Sequence, residues 1–266
     1  GQVTGGRWKP LHYLLKRGVY TDVTAACGVP SPPTPTNVAG SITPTSPFIC
    51  YARNDLPTPV QVLVSLTLLH LSSPTATSPT TTSTSIAVGH VALSAGGGVT
   101  VRFCPDGRGG LTYGTSCPLW RDVLQRANCT IDGTDCALHI QLNANDDDDA
   151  DTHRKHSSND QVSLLAETTT LLAPPVNLTL SCAEVSAQVV GTRDDGAVSV
   201  VLTSNATALF VVLSTTLQGH FDDNAFTLLP FAQRILHFLP FSKVDPKQLQ
   251  ASLRLSHLAQ NLDSCL

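Results

Sequence analysis

Apolar residues recur at every second position in short runs separated by turn residues, and this period of two constrains the 266-residue chain more than any other feature. In residues 60–68, Val60, Val62, Val64, Leu66 and Leu68 alternate with Gln61, Leu63, Ser65 and Thr67. The pattern returns at 86–93, at 99–103 (Val99, Val101, Phe103) and at 136–142, where Leu138, Ile140 and Leu142 share one face and His139 faces solvent. Further strands are predicted at 161–166 and 176–182. The longest such stretch, 208–241, holds three apolar runs, with a Gly- and Asp-rich break at 219–224 and closures at Pro230 and Pro240. It predicts consecutive antiparallel strands supplying the core of one β-domain, with the break as a turn. About seven short strands from 176 onward, spaced by regular turns, are the pattern of an immunoglobulin-like sandwich.

Interruptions divide the chain. Residues 21–49 are rich in Pro, Ser and Thr, with Pro30, Pro32, Pro33 and Pro35 crowded together, so they read as a linker or an edge passage. Residues 72–85 are low-complexity Ser/Thr/Pro, a hairpin loop or an O-glycosylated tract. Pro174-Pro175 after a Thr-rich patch is the best internal boundary. Near the start, Pro10 fits a first helical turn and Leu11, Leu14 and Leu15 place one apolar stripe against a neighbour. A helix this short is marginal alone and is expected to belong to a domain lying upstream. The tail is amphipathic, with a strand expected at 251–256.

Composition narrows the partners. Charged residues are 14% of the chain, the formal net charge is −4 and the 16 Lys and Arg are scattered, so nothing points to nucleic acid. The apolar runs at 60–71 and 206–213 are too short to span a bilayer. The chain has no methionine and opens on Gly1, as expected of a piece of a larger precursor. Three N-glycosylation sequons begin at Asn128, Asn177 and Asn205, and eight cysteines accompany them, which together favour the secretory route. Cys129 and Cys136 are close enough in sequence to close a local disulfide around Asp132-Gly133. The spacings of Cys27, Cys50, Cys104, Cys117, Cys182 and Cys265 select no pairing.

No constellation of residues carries chemistry. The only two glutamates, Glu167 and Glu184, fall in separate predicted domains, and no pair of aspartates is framed as a site. There is no G-x-S-x-G elbow and no phosphate loop, since Gly96–Gly98 lacks a following Lys-Ser/Thr. The run 145–159, with Asp146 to Asp149, Asp151, His153 and His156, has neither the Gly nor the distal Glu of a calcium loop and reads as a solvated loop. His220 beside Asp222-Asp223 suggests an acid/base pair, but neighbours on a turn seldom converge. No catalytic residue, cofactor or metal site is expected in the span.

Three blocks in order do resemble a known family. Gly5-Gly6-Arg7-Trp8-Lys9-Pro10-Leu11-His12-Tyr13, then Asn128-Cys129-Thr130 with Cys136, then 210–213 through Gly219-His220-Phe221-Asp222-Asp223-Asn224-Ala225-Phe226 to Pro240, resemble β-mannosidases of glycoside hydrolase family 2, above all the animal lysosomal enzymes. The resemblance implies residues 1–20 as the last helix of a (β/α)8 catalytic barrel, 21–170 as a first sandwich and 171–266 as a second. It implies an all-β accessory region, and a parent enzyme removing terminal non-reducing β-linked mannose from oligosaccharides in the lysosome by a retaining mechanism. The upstream barrel would be its partner. The family's acid/base glutamate follows an asparagine, whereas Ala166 precedes Glu167 and Ala183 precedes Glu184, so no catalytic role transfers. The competing expectation is a carbohydrate-binding or adhesion module of tandem sandwiches, which would need exposed aromatics, and aromatics are only 5%.

Overall fold

A computed structural model describes residues 2–3, 7–18, 20–28, 43–72, 82–97, 99–144 and 164–262. The Pro cluster at 30–35, most of the Ser/Thr tract, the Asp run, Gly5-Gly6 and Cys265 lie outside the described residues. Strands β1 (Gln2–Val3) and β2 (Arg7–Trp8) pair and precede helix α1 (Pro10–Gly18). There follow β3 (Val23–Cys27), β4 (Cys50–Asn54), β5 (Val60–His70), β6 (Ser83–Leu93), β7 (Val101–Pro105), β8 (Leu111–Thr112), helix α2 (Trp120–Arg126), β9 (Cys136–Ala144) and β10 (Leu164–Leu171). Then come β11 (Val185–Thr192), β12 (Val198–Ser204), β13 (Ala208–Ser214), β14 (Gly219–Phe221), β15 (Phe226–Leu228), β16 (Gln233–Pro240), α3 (Pro246–Ser252), β17 (Arg254–Ser256) and α4 (Leu258–Asn261). The protein is all-β, and its antiparallel sheets form immunoglobulin-like sandwiches.

The chain divides into two compact units. One comprises Arg17–Leu69 and Ser83–Leu178. Its sheets run β10-β9-β5-β6 and β3-β4-β7-β8, and both contribute to one core. The alternation in β5 does what period two dictates: Val62, Val64, Leu66 and Leu68 are fully buried while the residues between them are half-exposed. Helix α2 inserts Trp120 into this core, its ring 4.0 Å from that of Phe48. Disulfides join Cys27 to Cys50 across the β3–β4 register, Cys104 to Cys117, and Cys129 to Cys136. His139 does not face solvent: it is 5% exposed, and its Nδ1 lies 3.0 Å from the hydroxyl of Thr169, its cross-strand partner in β10. β9 is covered on both faces there, which alternation alone does not reveal.

The other unit comprises Gly1–Lys16, His70–Thr82 and Thr179–Leu266. A four-stranded sheet β11-β12-β16-β14 and a three-stranded sheet β15-β13-β17 share its core. Stretch 208–241 therefore does not form successive neighbours. β13 and β15 belong to one sheet, β14 and β16 to the other, and the chain crosses three times. The break at 219–224 is likewise no simple turn, because its first half is strand β14, with Gly219 and Phe221 buried. Residues 176–182 do not extend as a strand: Pro175–Asn177 forms a 3-10 turn and Val176 is 80% exposed. Pro175 fixes φ and has no N–H to offer a ladder, which favours the turn. Near the end, a helix stands where strand was expected from 251, since the Asp245 carboxylate accepts from the Lys247 N–H at 3.0 Å and Pro246 occupies the first turn. Only Arg254–Ser256 pairs as strand, with β13.

Candidate functional site

Among the described residues, rings, charges and backbone carbonyls meet where α1 packs against β14. Leu11, Leu14 and Leu15 do not carry that contact, Leu11 being 62% exposed. Tyr13, on the other side of α1, is buried, and its hydroxyl donates to the Phe221 carbonyl at 3.0 Å. Burial pushes the Tyr13 phenol up to about 12, so it remains a donor across the neutral and acid range. Trp8, ending β2, stacks on His220 with ring centroids 4.5 Å apart and lies 4.2 Å from the His12 ring. The Lys16 ammonium reaches the Asp222 carbonyl at 3.4 Å. Between α1 and the β13–β14 corner sits a cavity of about 300 Å³ lined by Trp8, Pro10, Tyr13, Val212, Phe221 and Phe238 among others.

His220 and Asp222 do not pair. Asp222 turns instead to His237 on β16, accepting from its Nδ1 at 2.8 Å and from its backbone N–H at 2.9 Å. An Asp–His pair invites comparison with a catalytic dyad, but the second ring nitrogen decides otherwise. His237 Nε2 lies 3.2 Å from the Arg193 guanidinium. A guanidinium only donates, so Nε2 accepts, the ring proton sits on Nδ1, and the place of a nucleophile is taken. Asp223 is held by Arg234 at 2.6 Å, and Arg234 lies 4.3 Å over the Phe226 ring. These contacts shape the corner.

The sequence candidates are scattered. Glu167 lies on β10 in one unit, while Glu184 lies in the other, where Asn205 donates to its carboxylate at 3.4 Å. Asn128, with φ 57°, is exposed just after α2, and Asn177 is exposed at the end of the 3-10 turn. Asn205 is exposed but accepts the Glu184 N–H at 2.8 Å, and its sequon partner Thr207 is only 8% exposed. Cys129 and Cys136 are disulfide-bonded to each other. Trp120 is wholly buried and presents no face to a glycan.

Comparison with known proteins places one part of this arrangement. Residues 180–261 match the family Ig_mannosidase, an Ig-fold domain. The fold is also that of part of the β-D-mannosidase of Dictyoglomus thermophilum, with a TM-score of 0.55 and 14% identity over 95% of this chain. The chain spans 23% of that enzyme's length. No curated protein sequence matches the chain.

The mannosidase-type Ig-fold domain contains β14, β16 and the Asp222–His237 and Asp223–Arg234 pairs, whereas Trp8 and Tyr13 come from outside the matched residues. Sequence reasoning missed both as partners of the corner. Tyr13 and Phe221 are 208 positions apart, and no local pattern announces such a contact.

The corner makes stability depend on pH. Burial first, then the Lys16 ammonium, hold the His220 pKa below its ordinary value; Asp222 opposes them and His12 adds a smaller lowering. The folded chain thus prefers the neutral ring. Its contribution is fully present above the unfolded value near 6.5 and is lost as pH falls through it toward the depressed folded value. His220→Phe, which keeps an aromatic face on Trp8, should flatten the decline of the melting temperature as pH falls below about 6.5. His257, whose pKa burial also lowers, keeps some slope in the variant. An unchanged slope in His220→Phe would refute the assignment.

Proposed function

We propose that the chain is the C-terminal, non-catalytic region of a lysosomal β-mannosidase, whose catalytic barrel removes terminal non-reducing β-linked mannose from oligosaccharides by a retaining mechanism. The observation that carries this reading is the mannosidase-type Ig-fold at 180–261, within a chain that follows the fold of a β-mannosidase almost throughout. The placement of the carboxylates supports the accessory role. A retaining glycosidase needs two carboxyl groups about 5 Å apart, and the two glutamates here belong to different compact units. Secretory passage is supported by the cysteines: among the described residues none is free, and Cys182 is disulfide-bonded as well. Among those residues no helix is long and apolar enough to cross a membrane. Asn128, Asn177 and Asn205 are the proposed glycan acceptors, and the sandwiches would pack on the barrel and shape its mouth.

The test is direct. The 266-residue chain incubated with an aryl β-mannoside should show no turnover above buffer, while the same chain joined to its upstream barrel should hydrolyse it. Saturable turnover by the chain alone would overturn the non-catalytic role. An upstream region encoding anything but a barrel with an Asn-Glu pair and a second strand-end glutamate would overturn the parentage.

A further inference from the structure

We propose that the sequon at Asn177 stays open to N-glycosylation in the folded chain, whereas those at Asn128 and Asn205 accept a glycan only before the structure around them closes. The proposal rests on the secretory reading for its place in the cell, and goes beyond it by setting an order among the acceptors. In the transfer, the Asn side-chain nitrogen attacks the anomeric carbon of a lipid diphosphate-linked oligosaccharide. An N–C bond forms, the C–O bond to the diphosphate breaks, the lipid diphosphate leaves and one amide proton passes to a base of the transferase. The enzyme must hold the acceptor amide and read the hydroxyl two residues on, so both groups and the backbone between them have to come free of the fold. The cost of that release separates the three sequons.

At Asn177 the cost is small. Residues 172–184 run between β10 and β11 and belong to no strand. Asn177 and Thr179 are exposed, and among the described residues neither side chain has a hydrogen-bond partner. Leu178 between them is buried, but the turn is held by two backbone bonds, from the Asn177 N–H to the Pro174 carbonyl at 2.9 Å and from the Leu178 N–H to the Pro175 carbonyl at 3.2 Å. A segment held so lightly opens locally while the sheets stay intact. At Asn128 the hold is covalent and polar. Cys129, the middle residue of the sequon, is bonded to Cys136, and its N–H donates to the Leu124 carbonyl of α2 at 2.9 Å. The Thr130 hydroxyl donates to the Asp135 carboxylate at 2.7 Å and accepts the Thr134 N–H at 3.2 Å. The Asn205 sequon joins β12 to β13, each an inner strand of its sheet. Its amide is tied to the Glu184 N–H and carboxylate, and the Thr207 hydroxyl is buried. Freeing these three residues means parting both sheets.

The full chain, produced without glycans and with its disulfides formed, should be incubated with a purified oligosaccharyltransferase and its lipid-linked donor, and the occupancy of each sequon followed by peptide mass spectrometry. Short peptides spanning each sequon give the intrinsic rates, so the quantity compared is the rate in the folded chain divided by the rate in the peptide. That ratio should lie within about tenfold of unity for Asn177 and fall at least about 100-fold below unity for Asn128 and Asn205. Cys136→Ser, which opens the loop and leaves the sequon itself unaltered, should raise the Asn128 ratio by about tenfold or more and leave those of Asn177 and Asn205 unchanged. If Cys136→Ser fails to fold, the three ratios of the unaltered chain still decide the order. Equal ratios at the three sites, an Asn177 ratio as low as the other two, or an Asn128 ratio untouched by Cys136→Ser in a folded variant would each overturn the proposal. Because the assay uses the purified chain, its outcome is separate from whether the natural protein passes through the secretory route.

Discussion

Gly219→Ala should lower the stability of the chain by about 3 kcal/mol, the sum of a left-handed-backbone penalty of about 1 kcal/mol and overpacking of about 2 kcal/mol. Gly219 opens β14 with φ +146°, and a Cβ there would lie 2.5 Å from the Leu239 carbonyl oxygen, 2.7 Å from Cζ of Phe238 and 2.9 Å from Cα of Pro240. Two of those three atoms are backbone of β16, the strand to which β14 is paired, so the added methyl cannot be accommodated by a rotamer change. The strands must separate, and with them the carbonyl of Phe221 that receives the Tyr13 hydroxyl. Gly196→Ala provides the contrast. Gly196 has φ +84° and nothing within 4 Å of its would-be Cβ, so its substitution should cost only about 1 kcal/mol. Denaturant unfolding of the two variants checks both figures, and equal losses would show that close approach at β14 is not what Gly219 provides.

The parts of this corner that local chemistry controls were legible, and the parts that register controls were not. Alternation predicted the buried face of β5 and one of the two covered faces of β9 because side-chain direction along a strand is fixed residue by residue. Alternation is silent about which strand becomes whose neighbour. The apolar runs of 208–241 accordingly read as consecutive antiparallel strands, with nothing to reveal that the chain crosses between sheets at 215–218, around 222–225 and again at 229–232. His220 and Asp222, two positions apart, do not converge, as neighbours on a turn seldom do, but the sequence did not name the residue that Asp222 meets. The register Phe221↔Phe238 instead carries Asp222 to His237 and leaves His220 opposite Leu239, free to stack on Trp8. Cysteine spacing could not select among pairings, whereas the β3–β4 ladder sets Cys27 directly opposite Cys50. The Leu stripe of α1 followed helical period correctly and still faces outward, because amphipathicity identifies an apolar face and not what covers it.

Asn224→Ala should be as costly as Gly219→Ala, about 3 kcal/mol, and for a reason that register makes plain. β13 and β15 pair at Val211↔Phe226, so two residues further along the ladder Leu213 would stand opposite Asn224. The backbone does not continue the ladder, because Ala225 takes φ 55° and turns the main chain away. The Asn224 side chain makes the missing rung: its Oδ1 accepts the Leu213 N–H at 2.8 Å and its Nδ2 donates to the Leu213 carbonyl at 2.7 Å. Oδ1 also accepts the Ala225 N–H at 3.0 Å, which holds the left-handed residue in place. With Asn224 only 3% exposed, truncation to Ala removes these bonds where water cannot readily replace them. Asn224→Asp separates hydrogen bonding from volume. An ionised carboxylate at 224 can accept the Leu213 N–H but faces the Leu213 carbonyl with no proton to give, whereas a protonated one restores both bonds. The Asp variant should therefore be strongly destabilised at pH 7 and regain stability relative to Asn224→Ala as pH falls through its raised carboxyl pKa. Urea unfolding at pH 7 and pH 4.5 measures this, and an Asp variant that tracks the Ala variant at both would show that Asn224 merely fills space.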